Sequence, residues 1–147
     1  MVFNTKKRTV LLVNKDAASR DAIIPILKSY GYNVLQARSG PAALARSLEQ
    51  PVDVVLLDVT TEDIKEWQIF DCLYELHPFV PVILTCGRHE SFSASVQEHA
   101  DAIFEHPVDF SALLSAIEGF LSESHDDRLD RLVMSRPCTV RARDLHP

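Results

Sequence analysis

Five short apolar runs, separated by segments with helical periodicity, constrain the fold of this 147-residue chain more than any other feature. The first run, Thr9–Val13, is a continuous stretch of β-branched and aliphatic residues, the pattern of a strand buried on both faces. Residues 52–57 and 82–85 repeat this pattern, and residues 33–37 and 102–104 carry shorter or more polar versions of it. The sequence therefore predicts five strands.

The segments between the predicted strands have the features of helices. Ile23, Leu27 and Tyr30 recur at helical spacing, and Gly31 stands where a helix-ending glycine belongs. Pro25 either kinks this helix or restricts its regular part to residues from about Ile24 onward. A second helix, over residues 42–49, has Ser39 as its cap, and a fourth is predicted around residues 91–99. Apolar stripes predict the third and fifth helices. The stripe of the third helix consists of Trp67, Ile69, Phe70, Leu73 and Leu76. The fifth helix follows the cap Asp109, and its stripe consists of Leu113, Leu114, Ile117, Phe120 and Leu121.

Strands that alternate with helices through short connections predict an α/β protein with one parallel, doubly wound sheet and right-handed crossovers. In such sheets, functional residues gather at the carboxyl ends of the strands. Polar residues occupy those ends in this chain, namely Asn14, Lys15, Asp16, Asp58, Thr85, Cys86, Glu105 and His106.

Length and composition predict one domain, over residues 1–122, followed by a polar tail or linker over residues 123–147. This tail contains at most one short helix, with Leu129, Leu132 and Val133.

With 15 basic and 21 acidic residues, the net charge of −6 disfavours binding to nucleic acid. No apolar run reaches the ~18 residues of a membrane span, and no secretory leader is visible, so we expect a cytoplasmic protein without membrane contact. Cysteine and histidine spacings match neither a disulfide framework nor a zinc site.

The VLLD segment ending at Asp58, the ILT segment ending at Thr85 and the dipeptide His106-Pro107 resemble the receiver domains of two-component response regulators. The resemblance covers residues 8–122. It implies a flavodoxin-like (βα)5 fold with five parallel strands in the order 2-1-3-4-5. It also implies that Asp58, Thr85 and His106 converge, and that the His106-Pro107 peptide bond is cis.

The resemblance assigns a role to each of these positions. Asp58 matches the aspartate that accepts a phosphoryl group, and Thr85 matches the hydroxyl residue that moves toward that group. His106 takes the place of a lysine that pairs with the acyl phosphate. Asn14 and Lys15 take the places of two acids that hold Mg2+ in the family.

These two positions depart from the family pattern in a way that bears on chemistry. Mg2+ requires oxygen ligands and typically a carboxylate, whereas Lys15 brings a positive charge that is predicted to pair with Asp58. Asp16, one residue along, either swings inward as a substitute acid or caps the first helix. His106, if its pKa stays near the ordinary value of about 6.5, would be mostly neutral.

Two further substitutions concern the switch that follows phosphorylation. Ile103 stands where the family has a rotating aromatic residue, and Phe104 is one residue later, on the opposite face of the strand. Cys86 replaces a small residue and is expected to crowd access to Asp58.

The sequence leaves two main hypotheses open. In the first, the chain is a pseudo-receiver, a protein-interaction module without enzymatic activity or a cofactor. Its partner would be a sensor kinase, an output domain, another regulator or a second copy bound through the helix at residues 91–99, the fifth strand and the fifth helix. In the second, it is a phosphoacceptor receiver modified at Asp58 with weakened Mg2+ binding. Cofactor binding by an unrelated flavodoxin-like protein is disfavoured because no glycine-rich loop follows the first strand.

Overall fold

The computed structural model describes residues 7–59, 64–87 and 100–134. Five parallel strands form one sheet in the order β2-β1-β3-β4-β5, which confirms the predicted α/β, flavodoxin-like fold class. The elements along the chain are β1 Thr9–Val13, α1 Ala17–Ser29, β2 Asn33–Ala37, α2 Gly40–Glu49, β3 Val54–Val59, α3 Ile64–Leu76, β4 Val82–Cys86, β5 Ala102–Glu105, α4 Phe110–Ser122 and α5 His125–Met134. The helix predicted at residues 91–99 lies outside the described residues.

Two buried layers cover the two faces of the sheet, and strand alternation assigns each side chain to one of them. In β3, Leu56 contributes to the layer under α1 and α4, whereas Leu57 contributes to the layer under α2 and α3. Asp58 follows the alternation and lies on the α1 and α4 face. Because β3 and β4 are in register, Asp58 stands opposite Thr85.

Helix starts follow the capping residues predicted from the sequence. Asp16, Ser39 and Asp109 are the N-caps of α1, α2 and α4, and each accepts a hydrogen bond from the backbone N–H three residues later. Such caps satisfy donors that the first helical turn leaves without intrahelical partners. For α1 and α4, the caps fix the direction in which the chain leaves the strand ends around Asp58.

Several element details differ from the prediction. The third strand runs to Val59 instead of ending at residue 57, so Asp58 lies inside it. Helix α1 begins at Ala17 and continues through Pro25, so the shorter regular helix from about Ile24 was wrong. Tyr30 is the C-cap and is 57% exposed, because the chain turns away at Gly31, whose φ of 89° confirms the predicted helix-ending glycine.

The apolar stripes of the later helices are largely confirmed. In α4, Leu113, Leu114, Ile117 and Phe120 are buried, and Leu121 packs against the same core. In α3, Ile69, Phe70 and Leu73 are buried, but Leu76 is exposed at the end of the helix. The side chain of Trp67 lies outside the described residues.

Helix α5 confirms the short helix predicted in the polar C-terminal region and is tied to the domain by one arginine. The Arg128 guanidinium donates hydrogen bonds of 2.8 Å to the main-chain oxygens of Phe79 and Phe120. Val133, farther along, is exposed. The domain boundary at residue 122 stays a prediction. None of the described helices is both long and apolar enough to cross a bilayer.

Candidate functional site

Asp58, Thr85 and His106 converge at the carboxyl ends of β3, β4 and β5, as predicted. The Thr85 hydroxyl donates a hydrogen bond of 2.6 Å to Asp58 Oδ1. His106 Nε2 lies 2.6 Å from the same oxygen. The fold thus joins residues that are 27 and 48 positions apart in the sequence, and both contacts restrain the Asp58 carboxylate through one oxygen.

The contact with Asp58 changes the pKa expected for His106. The hydrogen bond to Asp58 raises the pKa of His106 above its ordinary value, with a further contribution from the carboxylate's charge, while burial acts in the opposite direction. The expectation of an unperturbed pKa for His106 was therefore wrong, because it left out this partner. The His106 side chain is 46% exposed and the Asp58 side chain 19%, so water screens the pair in part.

This pair predicts a definite pH dependence of stability. Because the pKa of His106 is raised on folding, its stabilising contribution is fully present below the unfolded-state pKa of about 6.5. The contribution is lost as pH rises through the higher folded-state pKa. We expect Asp58→Asn to lower the His106 pKa, measured by NMR titration of its ring, and to remove this part of the pH dependence in urea unfolding. Asp130→Asn, on the exposed surface of α5, should leave the titration unchanged. An unchanged His106 pKa in Asp58→Asn would contradict the pairing.

Asn14 and Lys15 are the residues predicted to stand at the positions of the family's acidic pair. Asn14 is buried, and its Oδ1 accepts a hydrogen bond of 2.9 Å from the backbone N–H of Asp16. Its main-chain oxygen accepts a hydrogen bond from the Arg20 guanidinium. Asn14 therefore shapes the loop between β1 and α1. Lys15 is exposed, and its predicted ion pair with Asp58 stays a prediction.

Asp16 has the geometry of a helix cap, which confirms that interpretation. Its Oδ2 accepts hydrogen bonds from the Ser19 backbone N–H at 3.0 Å and from the Ser19 hydroxyl at 2.6 Å. These bonds lower the pKa of Asp16. To act as a substitute metal ligand, the carboxylate would have to give up both hydrogen bonds.

The described donors do not fit a magnesium site. Around Asp58 they comprise one carboxylate, the hydroxyl of Thr85 and the amide of Asn14, which already accepts a backbone hydrogen bond. Mg2+ demands near-octahedral oxygen coordination and in such sites relies on carboxylates. Within residues 7–59, 64–87 and 100–134, no three histidine, cysteine or acidic side chains are grouped to hold a metal ion.

The residues linked to the family's switch lie on both faces of the sheet. Ile103 is buried in the layer under α2 and α3, whereas Phe104 is buried under α1 and α4, which confirms their opposite orientations. Cys86 is also buried in the first of these layers, on the face opposite Asp58. The expectation that its sulfur crowds Asp58 was therefore wrong. The His106-Pro107 peptide bond is cis, as predicted.

A cavity of about 160 Å3 opens beside Asp58, between α1, α4 and the sheet. Asp58, Thr85, His106, Asn14 and Ser19 form its polar part, and apolar side chains form the rest. Sequence reasoning missed this cavity. The signal for it was indirect: Leu12 and Leu56 share the sheet face of Asp58, but only the packing of the helices decides whether the space between them is filled.

Comparison with known proteins agrees with the fold. The response regulator receiver domain family matches residues 10–118, most of the chain. The chain belongs to this family. It is therefore a receiver domain of the two-component response regulator type.

Individual relatives support this assignment. The chain is 28% identical over 119 residues to the transcriptional regulatory protein ZraR of Escherichia coli K12, which covers 79% of this chain and 27% of ZraR. It is 29% identical over 136 residues to GlrR of the same organism, covering 89% of this chain and 31% of GlrR. The chain thus spans about a third or less of these relatives. A CheY-like receiver domain structure from Methanospirillum hungatei aligns with a TM-score of 0.72 at 26% identity, covering 86% of this chain and 99% of that one.

Proposed function

We propose that this receiver domain is a pseudo-receiver, which acts by binding a protein partner and is not phosphorylated in the Mg2+-dependent manner. The observation that carries the proposal is the environment of Asp58. Its Oδ1 is held by Thr85 and His106, and the positions of the acidic pair are occupied by Asn14 and Lys15.

Charge balance gives the physical reason. Phosphoryl transfer depends on positioning and on neutralising the charge of the phosphoryl oxygens, which the family achieves with Mg2+ and a lysine. Here one carboxylate faces His106, whose pKa it raises, and Lys15 stands at the predicted place of one of the two metal-holding acids. The site thus combines Asp58 with groups that bear or can acquire positive charge. Among the described residues that line the site, Asp58 supplies the one carboxylate, and it is already hydrogen-bonded to Thr85 and in contact with His106.

The alternative function is a phosphoacceptor receiver modified at Asp58. The geometry that favours it is the family-like convergence of Asp58, Thr85 and His106, since a protonated His106 could replace part of the lysine's charge. This alternative is the one that would use Mg2+.

Acetyl phosphate separates the two functions. We expect the wild-type chain, incubated with acetyl phosphate and Mg2+, to show no stoichiometric mass increase by intact-mass spectrometry, because the described site lacks the carboxylates that bind Mg2+. Asp58→Asn provides the matched control for modification elsewhere. A gain of one phosphoryl group in wild type that disappears in Asp58→Asn would reject the pseudo-receiver function.

The class of partner follows from the family and from the relatives. The matched segments of ZraR and GlrR are parts of longer transcriptional regulatory proteins. We propose that this domain contacts a sensor kinase, an output domain or another regulator in the cytoplasm. A homodimer would use β5, α4 and the helix predicted at residues 91–99, which lies outside the described residues. Light scattering that shows only monomer at high micromolar concentration would contradict the dimer.

A further inference from the structure

The cavity beside Asp58 has an interior that the receiver chemistry does not use. Its apolar lining comes from both strands and helices and comprises Leu12, Ile23, Leu56, Val108, Phe110 and Leu113. Leu12, Ile23, Leu56 and Leu113 are buried side chains of the core layer under α1 and α4. The volume of about 160 Å3 is similar to that of cavities of about 150 Å3 that hold a benzene ring. One aromatic ring is therefore the size of ligand that this space accepts.

The polar side of the cavity determines which ring is favoured. A carboxylate has about four acceptor positions, and within the described part of the chain Thr85 and His106 both bond to Oδ1 of Asp58. A further donor that bonds to Oδ2 would displace neither of these two residues. Charge is disfavoured for two reasons: the Asp58 carboxylate would repel an anionic ligand, and a cationic ligand would lose hydration against the apolar side chains that form most of the lining. An uncharged hydroxyl group meets neither obstacle.

We propose that this cavity binds a small, uncharged aromatic molecule of one ring, with the ring among the apolar side chains and a hydroxyl group donating to Asp58. Such a ligand would sit against Ile23 of α1 and Leu113 of α4, so its binding would bias the positions of both helices relative to the sheet. The proposal concerns the unmodified Asp58 carboxylate and does not rest on the pseudo-receiver function.

The test uses the whole chain and para-cresol as the probe, with toluene, benzoate and benzylamine as comparison compounds. Para-cresol should cause saturable NMR shift changes in the methyl groups of Leu12, Ile23 and Leu113. It should bind about fivefold more tightly than toluene, the effect of one net hydrogen bond. Benzoate and benzylamine should both bind more weakly than para-cresol. Equal affinities for para-cresol and toluene would overturn the role of Asp58, and shift changes confined to other parts of the chain would overturn the site.

Three substitutions, none of them at a buried position, test the site. Ala22 lines the cavity but is exposed on α1, so Ala22→Phe should block the opening and abolish binding. Ser29→Phe, at an exposed position at the far end of the same helix, is the matched control and should leave the affinity unchanged. In Asp58→Ala, para-cresol and toluene should bind with equal affinity. Undiminished binding in a folded Ala22→Phe variant, with folding checked by circular dichroism, would refute the proposal.

Discussion

Replacing Asn14 and Lys15 with aspartate and His106 with lysine is expected to create Mg2+ affinity and to permit phosphorylation of Asp58. The change restores two carboxylates beside Asp58 and replaces a titrating ring with a permanent positive charge. The increase in Mg2+ affinity should be at least about tenfold, since even residues that only support metal ligands alter affinity by roughly 10- to 100-fold. Mg2+ titration followed by NMR, and phosphate incorporation from acetyl phosphate, measure the two effects.

The controls separate metal binding from phosphoryl transfer. Adding Asp58→Asn to the triple variant should abolish phosphate incorporation, because it removes the nucleophile. The variant retains Ile103, which is buried in the core, so it should gain phosphorylation without gaining the family's aromatic switch. If the wild-type chain already binds Mg2+ at millimolar concentration and incorporates phosphate, Lys15 is no obstacle and the pseudo-receiver function is wrong.

Gly40→Ala is expected to destabilise the domain by about 1–3 kcal/mol, the usual cost of forcing extra volume into a packed core. Gly40 is the first residue of α2 and is buried against α3. A Cβ atom at this position would overlap Cγ1 of Ile69 and lie only 2.6 Å from its Cδ1. Since Ile69 is itself buried, neither helix can yield without disturbing the core on that face. Urea unfolding of both proteins measures the difference.

Gly119→Ala is the matched control, and we expect it to raise the free energy of unfolding instead of lowering it. Gly119 lies inside α4, and no atom would come within 4 Å of an added Cβ. Alanine there should stabilise the domain by about 0.5–1 kcal/mol, because glycine loses more backbone freedom than alanine on entering a helix. If both substitutions change the free energy of unfolding by the same amount, the effect of Gly40→Ala does not come from the close approach of α2 and α3 at Gly40.

The strands and helix starts were predictable because their signals are local. Five apolar runs determine which segments become strands, and short polar side chains such as Ser39 and Asp109 mark where helices begin, since each cap bonds a backbone N–H only three residues away. The family resemblance added the strand order and the convergence of Asp58, Thr85 and His106. Strand ends were less predictable, and Asp58 lies inside β3 because pairing with β4 extends that strand to Val59.

The succession of strands and helices follows from local patterns in the sequence, and so do the polar residues that a parallel sheet brings to one edge. The direction of the His106 pKa shift depends on the fold, because the hydrogen bond that raises this pKa comes from a residue 48 positions away. The tertiary structure also placed Cys86 on the face opposite Asp58 and left a cavity between α1, α4 and the sheet. Electrostatic and packing interactions act between neighbours in space, and local patterns do not specify the distances between them.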